Sequence, residues 1–312
     1  MNLQHLRVFV AVAEAGRIGE AAEHLGTSQP AVSRQVAALE RTLGLRLLDR
    51  LPRGVRLTEA GRLLLEHARR VFTAERSAED ALAEFRGLQR GRLCFGASLT
   101  IGSYLLPPAL VAFHGAHPAI EIEQVVANTA EIQQRLLAGS LDFAMTEGLV
   151  ESELLTSRVF HRDRLVLVVG RSHPLARRRR IASAELPKHP LILREPGSGT
   201  RVIVEQALRR KRVTPTIAMS LGSAEAIKAT VALGECVAIV SELAVRDELS
   251  SGSLVEVTMH DLAIRRELHL LRRTDHTRSP AADAFLQIVD RLLQMPAAAA
   301  RRPVRAQVQR GS

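Results

Sequence analysis

At 312 residues the chain is longer than a single hydrophobic core usually holds, so two or three domains are expected. Its 46% hydrophobic and 24% charged residues are those of a soluble globular protein, and apolar runs such as Leu165–Val169 fall short of the ~20 residues of a membrane span. The net charge of +10 admits nucleic acid without singling it out, because residues 1–90 hold 14 arginines against 11 acids and four unopposed arginines lie in residues 301–312.

The opening Met1-Asn-Leu-Gln-His-Leu lacks the basic-then-apolar order of a signal peptide, so a cytoplasmic protein is expected. Leu3, Leu6, Phe9 or Val10, and Ala13 predict a first helix ending near Gly16. Ile18, Ala21, Ala22 and Leu25 predict a short second helix closed by Gly26. After the turn Thr27-Ser28, Val32, Val36, Leu39 and Leu43 form the apolar stripe of a third helix. Thr27 or Ser28 can cap it, Pro30 suits its first turn, and Gly44 suits a left-handed end.

The polar face of this third helix carries Gln29, Ser33 and Arg34, donors and acceptors suited to base edges, with Pro30 as a further contact. Alone, it reads as an ordinary surface helix. The short helix and turn before it make a helix-turn-helix pattern. Alternating runs around Pro52-Arg53-Gly54 then predict a hairpin wing, whose Arg50, Arg53 and Arg56 either follow phosphates or form a solvated edge.

Thr58 and Glu59 open a long helix. Its stripe of Leu64, Ala68, Val71, Glu75, Ala78, Leu82 and Phe85 is expected to pair with its copy in a second subunit. A dimer presents two reading helices to two half-sites.

These ninety residues resemble the N-terminal region of the LysR-type transcriptional regulators. The resemblance rests on Phe9–Gly16, Ala21-Ala22, Leu25, Ser28–Ser33, Gln35, Leu39-Glu40, Leu43-Gly44 and Leu57–Gly61. It implies a winged helix-turn-helix over 1–58, a dimerising linker helix over 59–90, and an effector-binding domain over 91–295. The tail 296–312 reads as basic and disordered. Arg17-Ile18-Gly19 stands where the family usually has Ser-Phe-Thr, so Arg17 is expected to make the phosphate contact of the missing hydroxyls. Leu48 replaces a usual Phe near the wing.

From Gly91 onward, strands and helices alternate, which predicts an α/β architecture rich in parallel strands. Predicted strands are Leu93–Gly96, Ile120–Ala127, Leu141–Thr146, Leu165–Gly170, Leu191–Arg194, Thr216–Ser220, Val237–Ser241 and Leu254–Met259. Helices are expected near 101–114, 129–138, 200–211, 223–233, 242–249 and 281–294. The family resemblance implies a periplasmic-binding-protein-like pair of lobes: lobe I about 92–161 and 268–295, lobe II about 162–267. It places the hinge near His161–Asp163 and Arg265–Leu268.

A ligand is expected between the lobes, at the C-terminal ends of strands. Ser98 and Thr100 precede one helix; Ser198, Thr200 and Arg201 open another in a glycine-rich run. Two helix starts facing one cleft suit a small anion, against which Glu147 argues mildly. The Arg194–Arg201 and Gly96–Gly102 runs resemble the family branch that regulates carbon fixation and sulfur-oxyanion metabolism, pointing to an inorganic or carboxylate anion. The resemblance further implies a homodimer or homotetramer on promoter DNA, with RNA polymerase as a further partner.

Other chemistry lacks support. His114 and His117 have no further ligand nearby, Gly197-Ser-Gly199 lacks a phosphate-loop lysine, and no catalytic constellation appears, so no metal, cofactor or enzymatic activity is expected. Cys94 and Cys236 read as buried thiols, and Arg177–Arg180 as a solvated loop.

Overall fold

The computed structural model describes residues 2–51, 54–84, 91–148, 150, 152–275 and 279–294. The chain forms two compact units, the first made by residues 1–79 and the second by nearly all the remainder.

In the first unit, helices α1 (Leu3–Ala15), α2 (Ile18–His24) and α3 (Gln29–Leu43) precede a hairpin of β1 (Leu48–Leu51) and β2 (Gly54–Leu57). Helix α4 (Glu59–Glu84) follows. The apolar spacing works as expected: Leu6, Phe9 and Val12 of α1 meet Ala21 and Ala22 of α2 and Val32, Val36 and Leu39 of α3 in one core. Gly44 ends α3 in the left-handed region, at φ 66°. Ser28 occupies the N-cap of α3, yet its hydroxyl makes no capping bond; its carbonyl instead accepts from the Ala31 and Val32 amides. Glu40 ties α3 to the hairpin, Oε1 accepting from the Leu47 and Leu48 amides at 2.7 and 3.2 Å.

The stripe on α4 divides differently from the expectation. Leu64 and Ala68 pack into this unit's own core, and the Glu75 carboxylate meets Arg7 of α1 at 2.8 Å. Leu63 and Val71 are exposed. A periodic pattern marks which face is apolar but not whether the same chain or a second copy covers it. Phe85 and the tail from residue 295 lie outside the described residues.

The second unit is organised on one ten-stranded sheet. Its first part contains β3 (Gly91–Ser98), a π-helical turn at Ile101–Leu105, α5 (Pro107–Ala116), β4 (Ile120–Ala127), α6 (Thr129–Leu137) and β5 (Phe143–Glu147). The helix expected over 101–114 is therefore two pieces, divided just before the Pro107-Pro108 pair, because proline supplies no amide to continue the ladder. Strand β6 (Leu155–Gly170) crosses to the second part. There lie α7 (Leu175–Arg178), β7 (Arg180–Ile181), β8 (Leu191–Arg194), α8 (Gly199–Arg210) and β9 (Ile217–Leu221). They are followed by α9 (Ala224–Ala232), β10 (Val237–Ser241), α10 (Arg246–Ser251) and β11 (Leu254–Met259). Strand β12 (Ile264–Arg273) returns, and α11 (Pro280–Gln294) closes the first part.

The strand order is β4-β3-β5-β12-β6-β10-β8-β9, with β11 beside β6 and β7 beside β11. Within each part the neighbours β4-β3-β5 and β10-β8-β9 run parallel. The two crossing strands pair antiparallel from Leu155↔Arg273 to Leu165↔Ile264, with a bulge at Leu268/His269. Four buried clusters pack on this sheet among the described residues. One lies around Phe95, Phe113, Phe143 and Phe285, one around Leu167, Val169, Leu191, Val204 and Ile239, and two more around Val168 and Ile227 and around Ile132 and Leu136. This matches the expected two-part arrangement, with the paired strands β6 and β12 crossing between the parts. No described helix is long and apolar enough to cross a membrane. Cys94 and Cys236 are buried, unbridged thiols. In the arginine run, Arg178 pairs with Glu185 at 2.9 Å rather than standing free.

Burial pushes His161, His173 and His189 below the ordinary histidine range. His173 Nδ1 also accepts from the Leu175 amide at 3.1 Å, so that nitrogen carries no proton. A base depressed in the folded state binds fewer protons there than when unfolded, so stability is lost as pH falls below the ordinary histidine range. The slope is at most about 1.4 kcal/mol per pH unit for each proton taken up. Thermal unfolding of the full chain is expected to move to lower temperature between pH 7.5 and 5.5, and less so in His173→Asn. An unfolding temperature independent of pH over that interval would refute this.

Candidate functional site

The DNA-facing candidates follow from the register of α3. Gln29 and Ser33, like Pro30 and Arg34, are four apart and share a helix face. Ser28, Gln29, Pro30 and Arg34 are exposed and Ser33 is half-buried. Arg34 is exposed and makes no ion pair among the described residues. Gly19 has a definite spatial role: a Cβ there would stand 2.6 Å from Gln29 Nε2, so the missing side chain makes room for Gln29. Arg17, expected on phosphate, pairs with Glu20 at 2.9 Å, both side chains largely exposed, a contact readily exchanged.

The wing is anchored at its second strand. The Val55 amide donates to Gly16 O at 2.9 Å, and Gly54, at φ 137°, has no room for a Cβ, which would lie 2.6 Å from that same oxygen. Arg56 reaches its cross-strand neighbour Asp49 at 3.3 Å and is exposed. Arg53 and the side chain of Arg50 lie outside the described residues.

Of the residues expected at the cleft, Ser98, Thr100, Glu147, Ser198 and Thr200 are all buried. Ser98 and Glu147 end β3 and β5 in lobe I; Ser198 and Thr200 open α8 in lobe II. The structure joins Glu147 to Thr200, whose hydroxyl donates to Oε1 at 3.2 Å. Two helix starts also meet across the cleft. The Gly199 amide donates to Thr129 Oγ1 at 3.3 Å, and the Ala130 amide, in the first turn of α6, donates to Gly197 O at 3.1 Å. Gly199 permits this approach, since a Cβ there would lie 2.3 Å from Glu147 O.

Arg201 is not brought to these residues. Its Nε donates to Glu205 at 2.7 Å, and its Nη1 to Arg194 O and Ser220 Oγ at 3.1 and 3.0 Å, all within lobe II. A first-turn position on α8 leaves a long side chain free to follow either the cleft or the adjacent strand ends, and here the i+4 carboxylate captures it. The buried polar atoms without a hydrogen-bond partner among the described residues include Ser98 Oγ, Thr146 Oγ1, Glu147 Oε2 and Arg266 Nη2. Such groups cost about 1–3 kcal/mol each when unsatisfied, so a small polar ligand would gain by meeting them.

Sequence reasoning missed several residues here. Arg266 is fully buried beside Glu147 and Asp163, hidden in the polar-looking run Ile264-Arg-Arg-Glu-Leu-His. Thr129 opens α6 at the cleft, signalled only by a hydroxyl ahead of a helix. Tyr104, the single tyrosine, donates from lobe I to Glu225 of lobe II at 2.6 Å, with Lys228 Nζ 5.3 Å from its ring centre. Burial, reinforced by the Glu225 carboxylate, pushes the phenol up to about 12, so it remains a donor. No cluster of three or more metal-ligating side chains occurs among the described residues.

Residues 3–62 match the family model described as bacterial regulatory helix-turn-helix protein, lysR family, and residues 86–294 match the LysR substrate binding domain. The chain is 35% identical over 292 residues to the probable RuBisCO transcriptional regulator of Trieres chinensis, covering 91% of this chain and 94% of that protein. Among solved structures, full-length CbnR complexed with its target DNA aligns at TM-score 0.66 and 26% identity, covering 93% and 99% of the two chains. The regulatory domain of Synechocystis PCC6803 CcmR, solved with 2-PG, aligns at TM-score 0.62 and 28% identity, covering 67% of this chain and 100% of that one. The family models cover both units, and the relatives that match along nearly the whole chain are named as transcriptional regulators. The chain belongs to the LysR family of DNA-binding transcriptional regulators.

Proposed function

We propose that this regulator serves carbon-fixation genes and that a small anion in the inter-lobe cleft controls its promoter binding. The observation that carries the reading is the meeting of the α6 and α8 starts across the cleft, lined by the buried hydroxyls of Ser98, Thr100, Thr129, Ser198 and Thr200. The partial positive charge of two helix starts favours an anion, which would have to displace the bonds the Gly199 and Ala130 amides now make across the cleft. Glu147 opposes one, but its Oε1 already receives Arg266 Nη1 at 3.1 Å. The names of the Trieres relative and of the CcmR complex support a carbon-fixation role and an anionic effector.

The same proposal includes a homodimer or homotetramer in the cytoplasm, binding dyad-symmetric DNA and acting on RNA polymerase. Exposed apolar residues support self-association: Leu63 and Val71 on α4, Val126 on edge strand β4, and Ile217 and Met219 on edge strand β9. Open edges of this kind invite pairing with another chain.

Thermal-shift titration with sulfite, sulfate, phosphate, small carboxylates and 2-PG tests the effector class. At a hundred times its dissociation constant, a true ligand should add about 2.7 kcal/mol of stability. Thr200→Val should weaken that response. Stabilisation by none of these anions would sink the anion reading.

A further inference from the structure

Arg266 stands where β12 crosses between the lobes, and its side chain is fully buried. Its Nε donates to Asp163 Oδ2 at 2.8 Å, and Nη2 lies 2.7 Å from the same oxygen without the direction of a hydrogen bond. Its Nη1 donates to Glu147 Oε1 at 3.1 Å and to Thr200 Oγ1 at 2.7 Å. Asp163 is held in turn by Ser241 Oγ at 2.7 Å and by the Arg164 amide at 2.8 Å. One guanidinium therefore joins the end of β5 in lobe I, the start of α8 in lobe II, and both crossing strands. The bulge at Leu268/His269 lies two residues along β12.

The planar fork reaches Asp163 from Nε and Glu147 and Thr200 from Nη1, two separated nitrogens, whereas an ammonium would have to present all three of its donors from a single point. Separating Glu147 from Thr200 takes one of them from Nη1, leaving part of a buried charge pair unmatched, which opposes opening. A ligand that engages the Thr200 hydroxyl or donates to Glu147 Oε2 alters the same set of bonds. We propose that Arg266 is a positioning residue that converts occupancy of the cleft into the angle of the hinge. The proposal rests on the cleft being the regulatory site, but its test needs no ligand, so it can fail independently of the anion titration.

The test is hydrogen exchange in the intact protein, comparing the parent with Arg266→Lys and Thr200→Val. The Ala130 and Gly199 amides, which bond across the cleft, report closure directly. Loss of the joint should speed their exchange by about tenfold or more while amides of β3, β5, β8 and β10 keep their protection. Such a local acceleration in Arg266→Lys supports the coupling, whereas acceleration in Thr200→Val alone counts against it, because that variant loses its own bond to Glu147. The absence of local acceleration in both variants, whether exchange is unchanged or rises throughout the domain, overturns the coupling.

Discussion

Gly61→Ala should destabilise the DNA-binding unit and abolish promoter binding while leaving the effector-binding unit folded. A Cβ at this position would lie 2.1 Å from Leu47 O and 3.1 Å from Leu57 Cδ2. The nearest obstacle is backbone, and it cannot swing aside as a side chain would. Leu47 is also held, its amide donating to Glu40 and its carbonyl accepting from the Thr58 amide at 3.0 Å. Relief therefore requires moving the start of α4 away from the wing, disturbing the bond from the Gly61 amide to Thr58 Oγ1 at 3.0 Å. Overpacking of this kind costs about 1–3 kcal/mol, and more where backbone must shift. Calorimetry should show the transition of residues 1–79 lowered and that of the effector-binding unit unchanged, with footprinting showing lost protection. Wild-type unfolding together with wild-type DNA affinity would contradict the argument.

Arg34→Ala should weaken binding to the natural operator by about 5- to 150-fold, corresponding to the ~1–3 kcal/mol of one specific base contact. The loss should concentrate at one base pair per half-site. The reason is structural: Arg34 is exposed, shares the face of Pro30 one turn from the start of α3, and makes no ion pair among the described residues. Arg56→Ala should behave differently, weakening all sequences alike and lowering the salt slope by about one unit. Binding to a set of single-base operator variants at two salt concentrations separates the two. A uniform loss across that set for Arg34→Ala would remove it from base reading.

Local patterns carried most of the N-terminal unit. The stripe of Val32, Val36, Leu39 and Leu43 specified which face of α3 is buried, and hence that Gln29 and Arg34 point outward. Gly44 was legible because a left-handed helix end asks for glycine. The end of β3 at Ser98 and the start of α8 at Ser198 were also readable, each as an apolar run followed by a hydroxyl and a helix. Strand β12 was not: Arg266 is buried on its inward register, so a charge stands where the alternation calls for an apolar residue. Its hinge position was legible only through the family resemblance.

What the sequence determined by itself is the set of periodic faces and turns, because these depend on neighbours three or four residues apart. That was enough for a helix-turn-helix, a wing and an alternating α/β domain. What only the tertiary structure decided is which distant groups share a partner. Leu64 and Ala68 face the core of their own unit, Arg201 follows Glu205 instead of the cleft, Gly19 yields its space to Gln29, and Glu147, Asp163 and Thr200 converge on Arg266. Those pairings join residues up to 119 positions apart, and no local spacing encodes them. They are settled by packing and by the requirement that buried charges find partners.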